Sequence, residues 1–366
     1  MIVFWLILAA ALLFFGQRRV FARNWRRRLS MHVSFDTDAV AAGEDVTVTE
    51  HLENRKLLPL PMLRCGYTLL RNFEQYRTPD RQPVRLGWCI AVPALRSVSR
   101  KQTLHGLRRG VYSISDGTLT GQDLFYSLRD TTQFLSFSRL TVWPEKLDTQ
   151  TLSVPYRRLL GAVLTRRATQ EDPFELRSIR PYEMYDSMRM INWKATAKTG
   201  ELKVNQNDYT TDEALCLILD MEHGDNALRE QAISVVSSLA ERFLQRGVHV
   251  SVVANGRSCI GGREIRVASG SGAAHLRVID DNLAQLKVGT MPTRPVTALL
   301  EALREEGVNA LCVLVSAGDS QELCTAFDAL CSKDRGCFLQ LSETEVSGSR
   351  FDVLRLFDTE EQEAAS

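Results

Sequence analysis

Two stretches of this 366-residue chain hold residue types whose spacing could support chemistry. Residues 174–203, FELRSIRPYEMYDSMRMINWKATAKTGELK, interleave arginines and lysines with acidic groups, tyrosines and a tryptophan. Arginine forks bind carboxylates and stack on aromatic rings, and tryptophan and arginine dominate binding hot spots. The second stretch is Asp220–Gly224, where Asp220 and Glu222 follow a continuous apolar run. Carboxylates at such a position could bind a hard cation.

The first stretch resembles the core motif of the bacterial domain-of-unknown-function 58 family, whose members are described as von Willebrand factor A-like. The matching residues are Glu175, Arg177, Tyr182, Asp186, Arg189, Ile191, Asn192, Trp193, Lys194, Ala195 and Ala197. Arg109, Gly110 and Tyr112, followed by Asp123–Phe125, resemble a second stretch of the family, with Leu124 where proline is frequent. The resemblance implies a MoxR-type AAA ATPase as a cytoplasmic partner, because similar proteins are often encoded beside one.

Two roles stay open for the signature stretch. Its ion pairs and stacking could lock a segment without a sheet of its own onto the neighbouring domain. It could also be a partner-docking face. The candidate residues for either role are Glu175, Arg177, Tyr182, Asp186, Arg189, Asn192, Trp193 and Lys194. The run from 191 to 198 is helix-compatible, and Gly200 lies at a helix-stop position. Tyr185 stands where the family usually has glycine before the aspartate.

The von Willebrand factor A domain, by resemblance, places a divalent metal on an Asp-x-Ser-x-Ser run after its first strand. Here Glu222 and Gly224 take the serine positions, and Ala317 lies where an aspartate is expected. Only Asp220 remains, with Glu222 as a substitute. We therefore predict no metal and no cofactor, with Asp220 binding local backbone amides. The alternative is a metal-dependent ligand-binding module that uses Asp220 and Glu222.

Motifs typical of enzymes are absent from the sequence. The glycine-rich run at 268–275 lacks the lysine of a phosphate-binding loop, so a turn is favoured over a phosphate cradle. There is no GxSxG or HExxH, although triad partners distant in sequence stay open. The eight cysteines are scattered without a CxxC pair, which indicates reduced, mostly buried thiols. We predict a protein without enzymatic activity.

The N-terminus predicts a membrane anchor. Residues 1–15 are apolar, and arginines follow at 18, 19, 23, 26, 27 and 28. A cleaved signal peptide has its positive charge before the apolar run, so the reverse order predicts an uncleaved single-pass anchor with the bulk of the chain cytoplasmic. A buried or interfacial helix is the alternative. The remaining charge is balanced, with 45 basic and 44 acidic residues, which argues against a nucleic-acid partner.

Periodicity predicts two further domains. Residues 31–145 alternate with period two and predict an immunoglobulin-like antiparallel sandwich. Residues 212–345 alternate apolar strands with helices and predict a doubly wound, von Willebrand factor A-like α/β domain with a parallel sheet. The predicted segments are 1–17 (anchor), 18–30 (arginine-rich), 31–145, 146–172 (linker), 173–211 (signature), 212–345 and 346–366 (acidic tail).

These observations together predict a membrane-tethered, non-enzymatic interaction or assembly factor. Its expected partners are a MoxR-type AAA ATPase, by resemblance, or other membrane and envelope proteins.

Overall fold

The computed structural model describes residues 2–72, 84–148, 150–169, 171–184, 186–209, 214–308, 310–331, 336–342 and 351–356. The side chains of 115–116, 164–177 and 206–209 lie outside this description. The chain divides into two compact units. The first comprises Met1–Glu145, Cys259–Gly261 and Leu283–Lys287, and the second holds the remainder.

Within the residues that the structure describes, the first unit consists of one helix and eight strands. The helix is α1 (Ile2–Asn24), and the strands are β1 (Leu29–Phe35), β2 (Ala39–Ala41), β3 (Val46–Asn54), β4 (Leu60–Arg71), β5 (Val84–Val92), β6 (Arg96–Leu104), β7 (Gly110–Gln122) and β8 (Arg129–Trp143). They form a three-stranded sheet, β1-β3-β6, and a five-stranded sheet, β2-β8-β7-β4-β5. All pairings are antiparallel except β2 with β8.

The two sheets of this unit share one hydrophobic core. Val33 and Val48 of the small sheet and Leu63 and Leu140 of the large sheet belong to the same fully buried cluster. The hydroxyl of Ser136 ties the sheets together, since it accepts from the amide of Val33 at 3.0 Å and donates to its carbonyl at 2.7 Å. The predicted all-β character of residues 31–145 is confirmed, because period-two alternation buries one face of each sheet.

The helix α1 combines an apolar start with an end that packs into the sandwich. It is long and apolar enough to cross a membrane, a test that a signal sequence also passes. It continues past the predicted boundary at residue 17, because arginine is a good helix former. Phe21 and Trp25 stack at its end and are buried, and the Trp25 indole donates to Asp130 at 2.9 Å.

The second unit consists of six helices, eight strands and a short 3-10 helix at Met188–Met190 within the described residues. The helices are α2 (Ser153–Thr169), α3 (Trp193–Thr199), α4 (Asn226–Gln245), α5 (Gly272–Ala284), α6 (Val296–Glu306) and α7 (Gln321–Leu330). The strands are β9 (Glu171–Pro181), β10 (Lys203–Tyr209), β11 (Ala214–Leu219), β12 (His249–Ala254), β13 (Ile265–Gly270), β14 (Leu311–Ser316), β15 (Gly336–Gln340) and β16 (Phe351–Arg355).

Six of these strands form a mixed sheet in the order β13-β12-β11-β14-β15-β16. Counted along the chain, this order is 3-2-1-4-5-6, which places a switch point between β11 and β14. Cys216 and Ile218 of β11 share a core with residues of α6 and α7. Leu215 and Leu217 alternate with them and are equally buried, and α4 packs on β11, so the sheet is covered on both faces.

Two predictions about this sheet are wrong. β13 is antiparallel to β12, so the sheet is not purely parallel. A single antiparallel edge strand leaves the apolar pattern of the inner strands unchanged and escapes a periodicity argument. The predicted acidic tail also fails for Phe351–Arg355, which pairs in parallel with β15 as β16. Phe351 and Leu354 are buried there. Their apolar pattern is hard to detect in the sequence, because charged residues surround it.

The predicted linker at 146–172 is wrong, because it holds α2 and the first residues of β9. Leu159 is fully buried, and the Tyr156 ring lies 5.1 Å from that of Phe243 in α4. Lys146 is also held, since its ammonium donates to Asp280 at 2.9 Å. These contacts belong to the second unit and supply the free energy that an isolated segment of this length lacks.

Candidate functional site

The signature stretch folds as a small sheet with a short helix of seven residues between its strands. β9 and β10 pair antiparallel, so the expectation of a segment without its own sheet is wrong. Asn192 begins α3, because its carboxamide accepts from the amide of Ala195 at 2.9 Å and donates to Asn205 of β10 at 2.7 Å. Gly200 ends the helix with φ at 75°, as a left-handed cap requires.

A partly buried ion pair holds the chain between β9 and α3. The Arg180 guanidinium donates to both oxygens of Asp186, at 2.7 and 2.6 Å, and the Asp186 side chain is 7% exposed. Asp186 also accepts from the amide of Glu183 at 2.8 Å. The Arg180 hydrogen bonds lower the pKa of Asp186. Asp186 and Asn192 therefore shape the segment, and bidentate geometry makes the Arg180 contact a specific one.

The same segment exposes large apolar and cationic side chains. Met184, Met188 and Trp193 are 95%, 75% and 67% exposed, and Arg189 and Lys194 are also exposed. We name residues 184 and 186–194 the docking segment. Arg189 and Trp193 therefore do not face the protein core. Methionine and tryptophan exposed on a structured backbone are typical of contact sites, because their burial by a partner is favourable and costs little backbone entropy.

Three predicted signature residues carry less information. Tyr182 is half-buried, and its amide donates to the carbonyl of Leu202 at 2.9 Å. Glu175 and Arg177 lie in β9, but their side chains are outside the described part of the chain. Tyr185 is likewise outside the described residues.

Asp220 lies at the carboxyl end of β11, at the switch point of the larger sheet. Its carboxylate accepts from the Ser316 hydroxyl at 2.6 Å, from His223 Nδ1 at 2.7 Å and from the amide of Glu222 at 2.8 Å. The Asp220 side chain is completely buried. We name Asp220, Glu222, His223 and Ser316 the strand-end cluster. The prediction that Asp220 binds local backbone amides agrees with this geometry, but two side chains share that role.

The cluster contains its own charge pair. Burial alone would raise the pKa of Asp220, but the hydrogen bonds from His223 and Ser316 outweigh it and lower that pKa. The hydrogen bond to Asp220 raises the pKa of His223, against the effect of partial burial. An opposite charge at this distance favours the imidazolium form of His223 and the carboxylate form of Asp220.

Glu222 has a structural partner of its own. Its Oε2 accepts from the amide of Val296 at 2.8 Å, the first residue of α6. Pro295 precedes that helix and offers no side-chain cap, so Glu222 satisfies an amide that would otherwise lack an intrahelical acceptor. A carboxylate at a helix N-terminus is also favoured by the helix dipole.

The ligand-capable atoms of Asp220, Glu222 and His223 lie within 4.8 Å of one another, so we tested the cluster against a divalent cation. Both oxygens of Asp220 already accept hydrogen bonds, and Oε2 of Glu222 accepts one from the first residue of α6. Hard cations need several free oxygen ligands in fixed geometry. This arrangement does not fit such an ion.

The departures from the metal-binding pattern accommodate one another. Gly224 has φ at 80°, and a Cβ there would lie 2.9 Å from the Cβ of Ala317, so serine is strained at this position. A Cβ at Gly318 would lie 2.8 Å from the His223 ring. Gly318 therefore makes room for the histidine that pairs with Asp220, and Gly224 makes room for Ala317.

Serine, histidine and aspartate meet in this cluster, but not as a nucleophilic triad. In a triad, the histidine lies between the other two and takes the serine proton. Here Asp220 lies between His223 and Ser316, and the Ser316 hydroxyl donates to the carboxylate. Ser316 is also fully buried and accepts from the amide of Gly318 at 2.8 Å. The geometry gives no activated serine.

Sequence reasoning missed three residues of these two sites. Arg180 was one cation among several, and only its distance to Asp186 distinguishes it. His223 lies three residues after Asp220, a spacing at which side chains can meet in a tight turn. Ser316 ends a buried strand that pairs with β11, and polar residues at adjacent strand ends are the available signal.

No family model and no curated protein matches this chain. Among solved structures, the CARDB domain of the PF1109 protein from Pyrococcus furiosus, in complex with di-metal ions, is 14% identical, covers 31% of this chain and 91% of that chain, and has a TM-score of 0.22. A PapD-like domain of human CEP192 is 12% identical over 31% and 86%, with a TM-score of 0.22. Spo0M, a sporulation control protein from Bacillus subtilis, is 11% identical over 43% and 58%, with a TM-score of 0.19. Likenesses at these TM-scores carry no argument about function.

Proposed function

We propose that this chain is a membrane-tethered, non-enzymatic interaction factor that binds a cytoplasmic partner through the docking segment. The observation that carries this proposal is the exposure of Met184, Met188 and Trp193 on a backbone held by the Arg180–Asp186 pair and the Asn192 cap. Large apolar side chains on a preorganised segment bind with little ordering cost. The helix α1 supports the tether, because its length and hydropathy suffice to cross a bilayer.

The partner class is inferred from the resemblance of the signature stretch to the domain-of-unknown-function 58 family. The proposal also gives this chain an immunoglobulin-like sandwich and a von Willebrand factor A-like α/β unit. We propose a MoxR-type AAA ATPase in complex assembly or an envelope process. The 3-2-1-4-5-6 strand order of the larger sheet supports the doubly wound α/β unit, and the partner rests on the resemblance alone. Arg189 and Lys194 favour an acidic surface on the partner, because no ion pair of theirs occurs among the described residues.

A non-enzymatic role is supported by the strand-end cluster. At the switch point, where α/β sheets bind ligands, the polar groups of Asp220, Glu222 and Ser316 bind one another or backbone amides. A site for substrate needs polar groups that are free to bind it.

The test is binding of the full chain, in lipid nanodiscs, to a purified MoxR-type ATPase from the same cell. We expect Trp193→Ala to weaken binding about tenfold or more, because a central tryptophan contributes over ~1.4 kcal/mol. Lys194→Glu should also weaken it and reduce its salt dependence. Met291→Ala is the matched control, since Met291 is 87% exposed in the same unit but outside the docking segment. Wild-type protein that fails to bind, or Trp193→Ala that binds like Met291→Ala, would contradict the proposal.

A further inference from the structure

The turn between β7 and β8 exposes three consecutive large side chains. Leu124, Phe125 and Tyr126 are 55%, 52% and 62% exposed. The turn lies beside α1 in the first unit, because the rings of Phe14 and Phe125 are 5.5 Å apart. Such a run is costly in water and indicates a contact.

Hydrogen bonds hold this turn in one shape and attach it to α1. The buried Asp123 carboxylate accepts from Gln17 Nε2 at 2.8 Å, from the Ser127 hydroxyl at 2.7 Å and from the amide of Leu128 at 2.9 Å. Tyr126 adopts a left-handed φ of 57°, which a non-glycine residue keeps only when its surroundings impose it. The three exposed side chains are therefore presented by a rigid turn.

The length of the apolar run determines the level of the turn relative to a bilayer that α1 crosses. The 15 residues of the run extend about 22 Å as a helix, against about 30 Å of bilayer hydrocarbon. Along α1, one face becomes half-buried against the sandwich at Ala11, Phe14 and Gln17. A helix that spans the bilayer must therefore bring the residues around Gln17 to the lipid interface. The turn that contacts Phe14 and Gln17 lies at the same level.

We propose that the Leu124–Phe125–Tyr126 turn is a second membrane contact, embedded among the headgroups and upper acyl chains of the bilayer that α1 crosses. This inference rests on the membrane tether of the proposed function and adds a site to it. Aromatic side chains favour this interface, and the exposed Arg18 and Arg19 pair with lipid phosphates beside it. Two attachment points restrict rotation of the first unit about α1.

The test is photo-crosslinking of the full chain in native membranes. p-Benzoylphenylalanine replaces Phe125 or, in a second variant, Tyr126, and lipid adducts are measured by mass spectrometry. The matched control is Phe137→p-benzoylphenylalanine, since Phe137 is 80% exposed on the same hairpin but about 30 Å further along β8. Leu12→p-benzoylphenylalanine reports on α1 itself, because Leu12 is 66% exposed within the apolar run.

We expect lipid adducts at positions 12, 125 and 126, with at least about fivefold more adduct at 125 than at 137. Adducts at 12 together with protein adducts, or none, at both 125 and 126 would overturn the second contact and leave the tether intact. Lipid adduct at 137 equal to that at 125 would overturn it as well. Absence of adducts at 12 would overturn both the tether and the contact that rests on it.

Discussion

At the carboxyl ends of β11 and β14, the strand-end cluster encloses its charged groups, whereas the docking segment of the same unit exposes apolar side chains. Asp220 is fully buried and accepts three hydrogen bonds, while Trp193 is 67% exposed. The fold offers a ligand site at the first place, but internal partners use its polar groups. The second place has only a small sheet and a seven-residue helix, yet Met184, Met188 and Trp193 are exposed there. The strand ends, where sheets of this kind usually bind a ligand, are therefore not the place where the side chains favour binding. That place is the docking segment.

The largest expected effect is on the free energy of unfolding and tests the strand-end cluster. Asp220→Ala should lower the free energy of unfolding by about 3 kcal/mol, because a buried carboxylate with charged and neutral donors is removed. Asp225→Ala is the control, since Asp225 caps α4 from an exposed position, through the amide of Leu228 at 2.8 Å, and should cost about 1 kcal/mol. Urea unfolding of the full chain in detergent measures both. Equal losses would show that the cluster is not the internally satisfied unit described above.

A smaller effect concerns the charge of His223. Because hydrogen bonding to Asp220 raises the pKa of His223 above its ordinary value of 6.5, the stabilisation is full below that pH. It is lost as the pH rises through the folded-state pKa. The difference in unfolding free energy between wild type and His223→Gln should therefore shrink as the pH increases from 6 to 9. Urea midpoints across this range measure it, and a constant difference would separate His223 from the charge balance of Asp220.

The smallest expected change in stability tests the docking segment. Trp193→Ala should alter the free energy of unfolding by less than about 0.5 kcal/mol, because an exposed side chain loses few contacts. Ile191→Ala, two residues earlier, should cost about 2 kcal/mol, since Ile191 is 7% exposed. Chemical denaturation of both variants makes the comparison. A large loss for Trp193→Ala would identify the tryptophan as part of the protein's own packing and would weaken its role in docking.

Sequence patterns predicted the elements whose signal is local. The β-strands of residues 31–145, the apolar strand before Asp220 and the helix stop at Gly200 follow from periodicity and glycine conformation. The antiparallel β13, the helix α2 and the strand β16 were missed, because their stability comes from packing against distant elements. In the candidate site, the importance of Asp186 and Asn192 was visible, but their partners Arg180 and Asn205 were not.

By itself, the sequence determined the order of the apolar N-terminal segment, the strand-rich middle and the α/β region, since each depends on the spacing of apolar residues. It also determined that Gly224 and Ala317, which follow Asp220 and Ser316 along the chain, supply no side-chain oxygen. Only the tertiary structure decided that His223 and Ser316 hydrogen-bond to Asp220, and that Trp193 is exposed. Burial and long-range hydrogen bonds are properties of the folded arrangement, and residue types along the chain do not specify them.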